Sequence, residues 1–147
     1  MTRILTALLL IPPFLAILLL APPWAFVLLA GAVALAGVHE IFGLAGHHGY
    51  RPYRLSGYSG AVLIAVSPCF EALVSLGGLC IFLVLLALEV VGRGEPDRHS
   101  LEAVSVTAFG TVYVGVLTGS MVALRLVEPD PAGRHWVLFL LLVVMLG

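Results

Sequence analysis

Apolar residues run through this chain in six long blocks rather than in the short alternations of a half-buried sheet. The blocks cover approximately residues 4–20, 25–45, 58–76, 79–91, 103–127 and 136–147, and polar or turn-forming residues separate them. A helix needs roughly 20 apolar residues to cross a hydrocarbon core of ~30 Å. The pattern therefore predicts an all-α, multi-span integral membrane helix bundle in one transmembrane domain, residues 1–147, with about five complete spans and an incomplete sixth.

The breaks between blocks have identifiable causes. Pro12-Pro13 should kink the first block, which neighbouring helices can compensate inside a membrane. Ala21-Pro22-Pro23-Trp24 forms a tight connection, with Trp24 suited to the interface. His39, Glu40, Gly46, His47 and His48 mark the end of the second block. Pro68 and Glu71 interrupt the third, and Gly77-Gly78 is expected to turn the chain into the short fourth. The third and fourth blocks are either two spans or one re-entrant pair. The fifth block is the longest. The sixth begins at Trp136 and offers only about 12 residues, ~18 Å of helix, before the chain stops at Gly147. Last-turn carbonyls left in lipid are costly, so the chain is expected to be the front part of a longer membrane protein.

Composition agrees with that class. Hydrophobic residues make up 61% and charged residues 10% of the chain, and soluble proteins carry about 25% charged residues. The mean hydropathy is +1.15. The opening superficially resembles a signal peptide, but Pro12-Pro13 interrupts it and no good cleavage site follows, which favours an uncleaved first helix. The net charge of -1, with no basic tract, gives no basis for nucleic-acid binding. All seven basic residues are arginine, which excludes a P-loop lysine or a Schiff base within this stretch. Arg3, Arg51, Arg54, Arg93 and Arg98 fall on one side of the alternating spans, Arg125 and Arg134 on the other. That asymmetry predicts a cytoplasmic N-terminus, with the sixth helix running toward the cytoplasm.

Few residues suggest chemistry. Glu40, Glu71, Glu89 and Arg125 lie in or against apolar blocks, where a charge is expensive and is often functional. Glu40 and Glu89 are near block ends and can equally be interfacial or structural. Glu71 follows Pro68 within a block, and Arg125 is one conceivable partner. His39 and Glu40 do not form a metal pair, since adjacent helical residues diverge by about 100°. His47, His48, Tyr50, Arg51, Tyr53 and Arg54 compose a loop that reads as an anchor to anionic lipid heads, or more sharply as a phosphate contact through Arg51 or Arg54. Cys69 and Cys80 form no CxxC pair and read as buried, hydrophobe-like thiols. In the fifth block Thr107, Thr111, Gly115, Gly119 and Ala123 recur every four residues, a small-residue row suited to close helix packing, either within the chain or against a second copy as a homodimer. No nucleophile triad, zinc spacing or Gly-rich phosphate loop is present, so no catalytic, cofactor or metal residue is assigned.

The order of these features resembles one family. Arg3-Ile-Leu-Thr-Ala-Leu-Leu-Leu-Ile-Pro12 followed by Ala21-Pro22-Pro23-Trp24 is similar to the opening of bacterial phosphatidate cytidylyltransferases, the CDP-diacylglycerol synthases. In that family the second helix commonly ends in a Trp-Glu pair. The matching stretch here is His39-Glu40-Ile-Phe-Gly-Leu44-Ala-Gly46, with histidine in place of tryptophan. Gly110-Thr-Val-Tyr113-Val-Gly115, Ala123-Leu-Arg125 and Trp136-Val-Leu-Phe-Leu-Leu-Leu-Val-Val144 look like the stretch leading to the family's catalytic half. The resemblance is close at residues 3–46 and 107–147 and loose through 50–100.

It implies a multi-pass enzyme of the inner (cytoplasmic) membrane, using magnesium to join CTP and phosphatidate into CDP-diacylglycerol and pyrophosphate in phospholipid biosynthesis. The family's Asp-x-x-Ala-Tyr, Ser-Pro-x-Lys and Pro-Gly-His-Gly-Gly segments are not found in this sequence. The catalytic residues and the magnesium site are accordingly expected beyond Gly147, and the 147 residues alone are expected to be inactive. Membrane lipids are the other expected partners. A transporter, or a non-enzymatic multi-span subunit, is the rival reading: kinks at Pro12-Pro13 and Pro68 with an intramembrane Glu71 would suit a transport path, although no inverted repeat of the spans is evident.

Overall fold

The computed structural model describes residue 16 and residues 18–70, 72–94, 100–127 and 132–146, with the side chains of 72–76, 145 and 146 left aside. Among the described residues the chain is helical, with no strand. After a helical segment at 18–20 come α1 (Pro23–His47), α2 (Arg54–Val66), a 3-10 turn (Ser67–Cys69), α3 (Ala72–Gly92), α4 (Ser100–Arg125) and α5 (Ala132–Leu146). By length and composition, α1 and α4 are apolar enough to cross a membrane. Gly77–Gly92 and Ala132–Val144 are shorter apolar stretches. Most of the first expected span, with Pro12 and Pro13, lies outside the described residues, as does Glu71.

Pro22 and Pro23 start α1 because proline's fixed φ suits a first helical turn and its missing N–H has no intrahelical partner there in any case. The helix runs for 25 residues and ends in a turn at His48 and Gly49, where Gly49 takes a φ of 87°. The third and fourth blocks divide differently from the sequence expectation. The break is at Ser67–Phe70, and Gly77-Gly78 sits inside α3. Proline explains the difference. Pro68 cannot donate to the preceding turn, a defect costing ~3 kcal/mol in a helix interior, whereas glycine costs only ~1 kcal/mol. The chain instead tightens into the 3-10 turn and leaves it through an extended Phe70, with φ -118° and ψ 164°. The Ser67 hydroxyl donates to the Ile64 carbonyl at 2.8 Å, and the Phe70 N–H to Ser67 O at 3.0 Å. The expected span at 58–76 is thus replaced by a 13-residue helix, ~20 Å long, and a corner.

α2 packs against α1, α3 and α4, most extensively against α4. Its neighbours approach closely because glycines stand where side chains would collide. Gly57 lies under the Phe42 ring of α1, and Gly60 under the Phe82 ring of α3. On the α4 side, a Cβ at Gly115 would lie 2.9 Å from Ile64 Cβ, and one at Gly119 3.1 Å from Ile64 O. Thr107 and Thr111 continue this contact with hydrogen bonds to α2 and the residue before it. The small-residue row therefore faces α2 of the same chain as far as Gly119, and Ala123 at its end is exposed. α1 meets α4 by the same device, Gly37 against Val114 and Gly110 against Ile41.

Three apolar clusters fill the interior: one around Ala34, Val38, Phe42, Ala61, Ala65 and Val114, one joining Leu18, Phe26, Val122 and Val137, and one around Ile64, Phe82 and Leu86. Leucine, valine and phenylalanine crowd the outer surface, with Leu20, Leu55, Phe109, Leu101 and Val91 all more than two-thirds exposed. An apolar exterior of this extent matches a lipid-facing bundle. Cys69 and Cys80 also lie on the outside, correcting the expectation of burial. A thiol behaves as a small hydrophobe, and on an apolar exterior it needs no place in the core.

Candidate functional site

The polar side chains of the bundle gather at the end where α1 and α3 finish and α2 and α4 begin. Tyr53, the N-cap residue of α2, makes no side-chain capping hydrogen bond. The first N–H groups of any helix need outside acceptors, and here they come from neighbouring helices. Glu89 of α3 accepts the Ser56 N–H through Oε2 at 2.9 Å. Thr107 of α4 accepts the Tyr53 N–H through Oγ1 at 2.9 Å while donating to Ala103 O at 2.7 Å. The Ser56 hydroxyl closes the turn by donating to Tyr53 O at 3.2 Å. A carboxylate at a helix N-terminus also meets the positive end of the helix dipole.

Arg93 completes the arrangement. Its guanidinium pairs with Glu89 Oε1 at 3.3 Å, stands 4.1 Å above the centre of the Tyr53 ring, and donates to Arg51 O and Pro52 O at 3.3 and 3.4 Å. Tyr53 itself is buried to 3% exposure. The interfacial-loop reading therefore separates into two parts. Tyr53 is an internal strut, while Arg51 and Arg54 are exposed, together with His47 and His48. Glu89 thus has a structural part, as an N-cap supplied to α2 from another helix.

A second polar pair lies in the groove between α1 and α2. The His39 Nδ1 and the Tyr58 hydroxyl are 2.8 Å apart, hydrogen-bonded in a direction set by the histidine tautomer. The rings stack at 6.3 Å, and Tyr58 also touches Phe42 at 5.7 Å. Glu40, the next residue along α1, is exposed. The pair could not be read from the sequence, since its members are 19 positions apart on different helices; the one clue was a polar residue at 39 where the resemblance leads one to expect tryptophan.

At the opposite end, Arg125 is buried at the close of α4, and Gly133 is pressed against its backbone carbonyl in a tight α4–α5 corner. Arg134 donates to Leu19 O at 2.7 Å. That contact places a cation on the carbonyl end of a helical segment, where the dipole favours it. No three His, Cys, Asp or Glu side chains converge among the described residues.

These helix-end contacts join the helices to one another, and the functional information comes from the family. A model described as the cytidylyltransferase family matches residues 1–147, the whole chain. The chain belongs to the cytidylyltransferase family. Membership implies nucleotidyltransferase activity, with nucleotide and lipid-type substrates in general terms. No curated protein and no solved structure matches the chain. In this cytidylyltransferase chain, residues 39–46 form the last two turns of α1, and residues 110–115 and 123–125 lie on α4, where Gly110 meets α1 and Gly115 meets α2.

Proposed function

We propose that this chain is the N-terminal helical membrane part of a phosphatidate cytidylyltransferase, which makes CDP-diacylglycerol and pyrophosphate from CTP and phosphatidate. The family match over residues 1–147 is the observation that carries the reading. The apolar exterior and the two helices long enough to span a bilayer support a lipid substrate and a membrane location. Because the product keeps the CMP unit, a phosphate oxygen of phosphatidate attacks the α-phosphorus of CTP and the α–β bond breaks. Charge develops on the leaving pyrophosphate, and this class of reaction uses a divalent metal and cationic side chains to stabilise it. The described residues contain neither a carboxylate cluster nor a lysine. We assign them the task of building the bundle, and place the magnesium and CTP contacts in segments of the Asp-x-x-Ala-Tyr and Ser-Pro-x-Lys type outside these residues. The family favours this reading over transport.

The test is an assay of the full gene product purified in detergent. Label from CTP should enter lipid only when phosphatidate and magnesium are both supplied. Incorporation that is indifferent to phosphatidate would identify another acceptor, and a gene lacking both segments would remove the proposal. Residues 1–147 expressed alone should give no incorporation.

A further inference from the structure

We infer that the Tyr50–Tyr53 loop and the first residue of α2 form a pre-shaped docking ledge for anionic phospholipid headgroups, with Arg51 and Arg54 as its contacts. The inference rests on the membrane reading proposed above. The loop and the α1 end beside it, residues 47–54, contain two arginines and two histidines and no acidic residue. Both arginines are exposed, and neither side chain has a protein partner among the described residues. Arg93 differs: it is held by Glu89, by the Tyr53 ring and by two loop carbonyls.

That difference gives the ledge its form. Arg93 grips the backbone at Arg51 and Pro52, and Thr107 holds the amide of Tyr53, so three consecutive residues of the loop are tied to the turn after α3 and to α4. The ties involve backbone atoms of the loop and leave the side chains of Arg51 and Arg54 outside the clasp. Glu89 is occupied by Ser56 and Arg93, so the nearest carboxylate of α3 does not neutralise them. Tyr53 turns inward and is fixed, which prevents the loop from burying its arginines by rotation. A helix-end loop of an apolar bundle lies at headgroup depth, where the charge of a basic side chain is attracted to anionic phosphates. Each basic residue near an anionic bilayer surface strengthens binding by about 5-fold, so the pair should contribute about 25-fold.

The test measures lipid retained by the full-length protein after extraction from membranes into detergent, by native mass spectrometry. Phosphatidylglycerol and phosphatidylcholine are supplied in equal amounts. The wild type should retain phosphatidylglycerol preferentially, and the preference should weaken with added salt. R51Q/R54Q should reduce the preference by about 25-fold, and R51K/R54K should keep most of it, because the charge remains. Unchanged thermal melting of both variants, expected for exposed side chains, separates loss of binding from loss of fold. Equal preference in R51Q/R54Q and wild type would overturn the inference. Carbonate extraction of the same membranes tests the underlying reading separately: protein released by carbonate is not membrane-spanning, whatever the lipid preference.

Discussion

Glu89 on α3 accepts the backbone N–H of Ser56 on α2 at 2.9 Å, so a helix that has no cap of its own is capped by its neighbour. The two residues are 33 positions apart, and the bond joins helix packing to helix initiation. Glu89→Ala should lower stability by about 1–2 kcal/mol, the usual worth of a good N-cap with its dipole contribution. Glu89→Gln keeps an acceptor and should lose about half as much. Thermal melts in one detergent measure both. Equal melting of Glu89→Ala and wild type would show that the cap is not a stabilising contact.

Thr107→Val tests the other half of the same helix start. The substitution keeps the shape, removes the acceptor of the Tyr53 amide and leaves a buried N–H unpaired. The expected cost is about 1–2 kcal/mol, and Thr107→Ser should recover most of it. A valine variant as stable as the wild type would mean that the amide finds another acceptor.

Two glycine substitutions should have opposite signs. At Gly119 an added Cβ meets the backbone of α2, Ile64 O at 3.1 Å and Ala65 Cα at 3.6 Å, which cannot rotate away as a side chain could. Gly119→Ala should therefore destabilise by about 1–3 kcal/mol by forcing α2 and α4 apart. Gly43 in α1 faces open space, so Gly43→Ala should stabilise by up to about 1 kcal/mol through helix propensity alone. The comparison is informative because both substitutions add the same atoms.

The orientation expected from the arginine distribution can be read with introduced cysteines. The native Cys69 and Cys80 are both exposed, so replacing them with alanine should be tolerated. On that background, His48→Cys lies just beyond α1 and Val127→Cys just beyond α4, at opposite ends of the bundle. A membrane-impermeant maleimide should label the first from the cytoplasmic side and the second from the other. Labelling of both from one side would contradict a spanning α4.

The legibility of this chain varied with the range of the interaction involved. α1 and α4 were evident as apolar blocks at 25–45 and 103–127, and they occupy Pro23–His47 and Ser100–Arg125. Their ends are set locally, by Pro22-Pro23 and by polar residues. The four-residue spacing of Thr107, Thr111, Gly115 and Gly119 marked a packing face, but only the fold shows that α2 of the same chain lies against it. The corner between α2 and α3 falls at Pro68 and not at the double glycine, although both are turn-forming signals in the sequence. The proline imposes a missing donor and a clash, and the glycines only permit a bend. Glu89 and the His39–Tyr58 pair were opaque for another reason: each is defined by a partner on a different helix, and no periodicity along one helix points to it.

The clasp at Glu89 also affects how the fold opens. The Ser56 amide is bonded to α3, so its exchange with solvent deuterium depends on the last turn of a helix to which it does not belong. When that turn frays, α2 loses the acceptor that starts it, while Arg93 releases the Arg51 and Pro52 carbonyls. Fraying, which in most helices is a private event of one terminus, is shared here between two helices and the loop that precedes one of them.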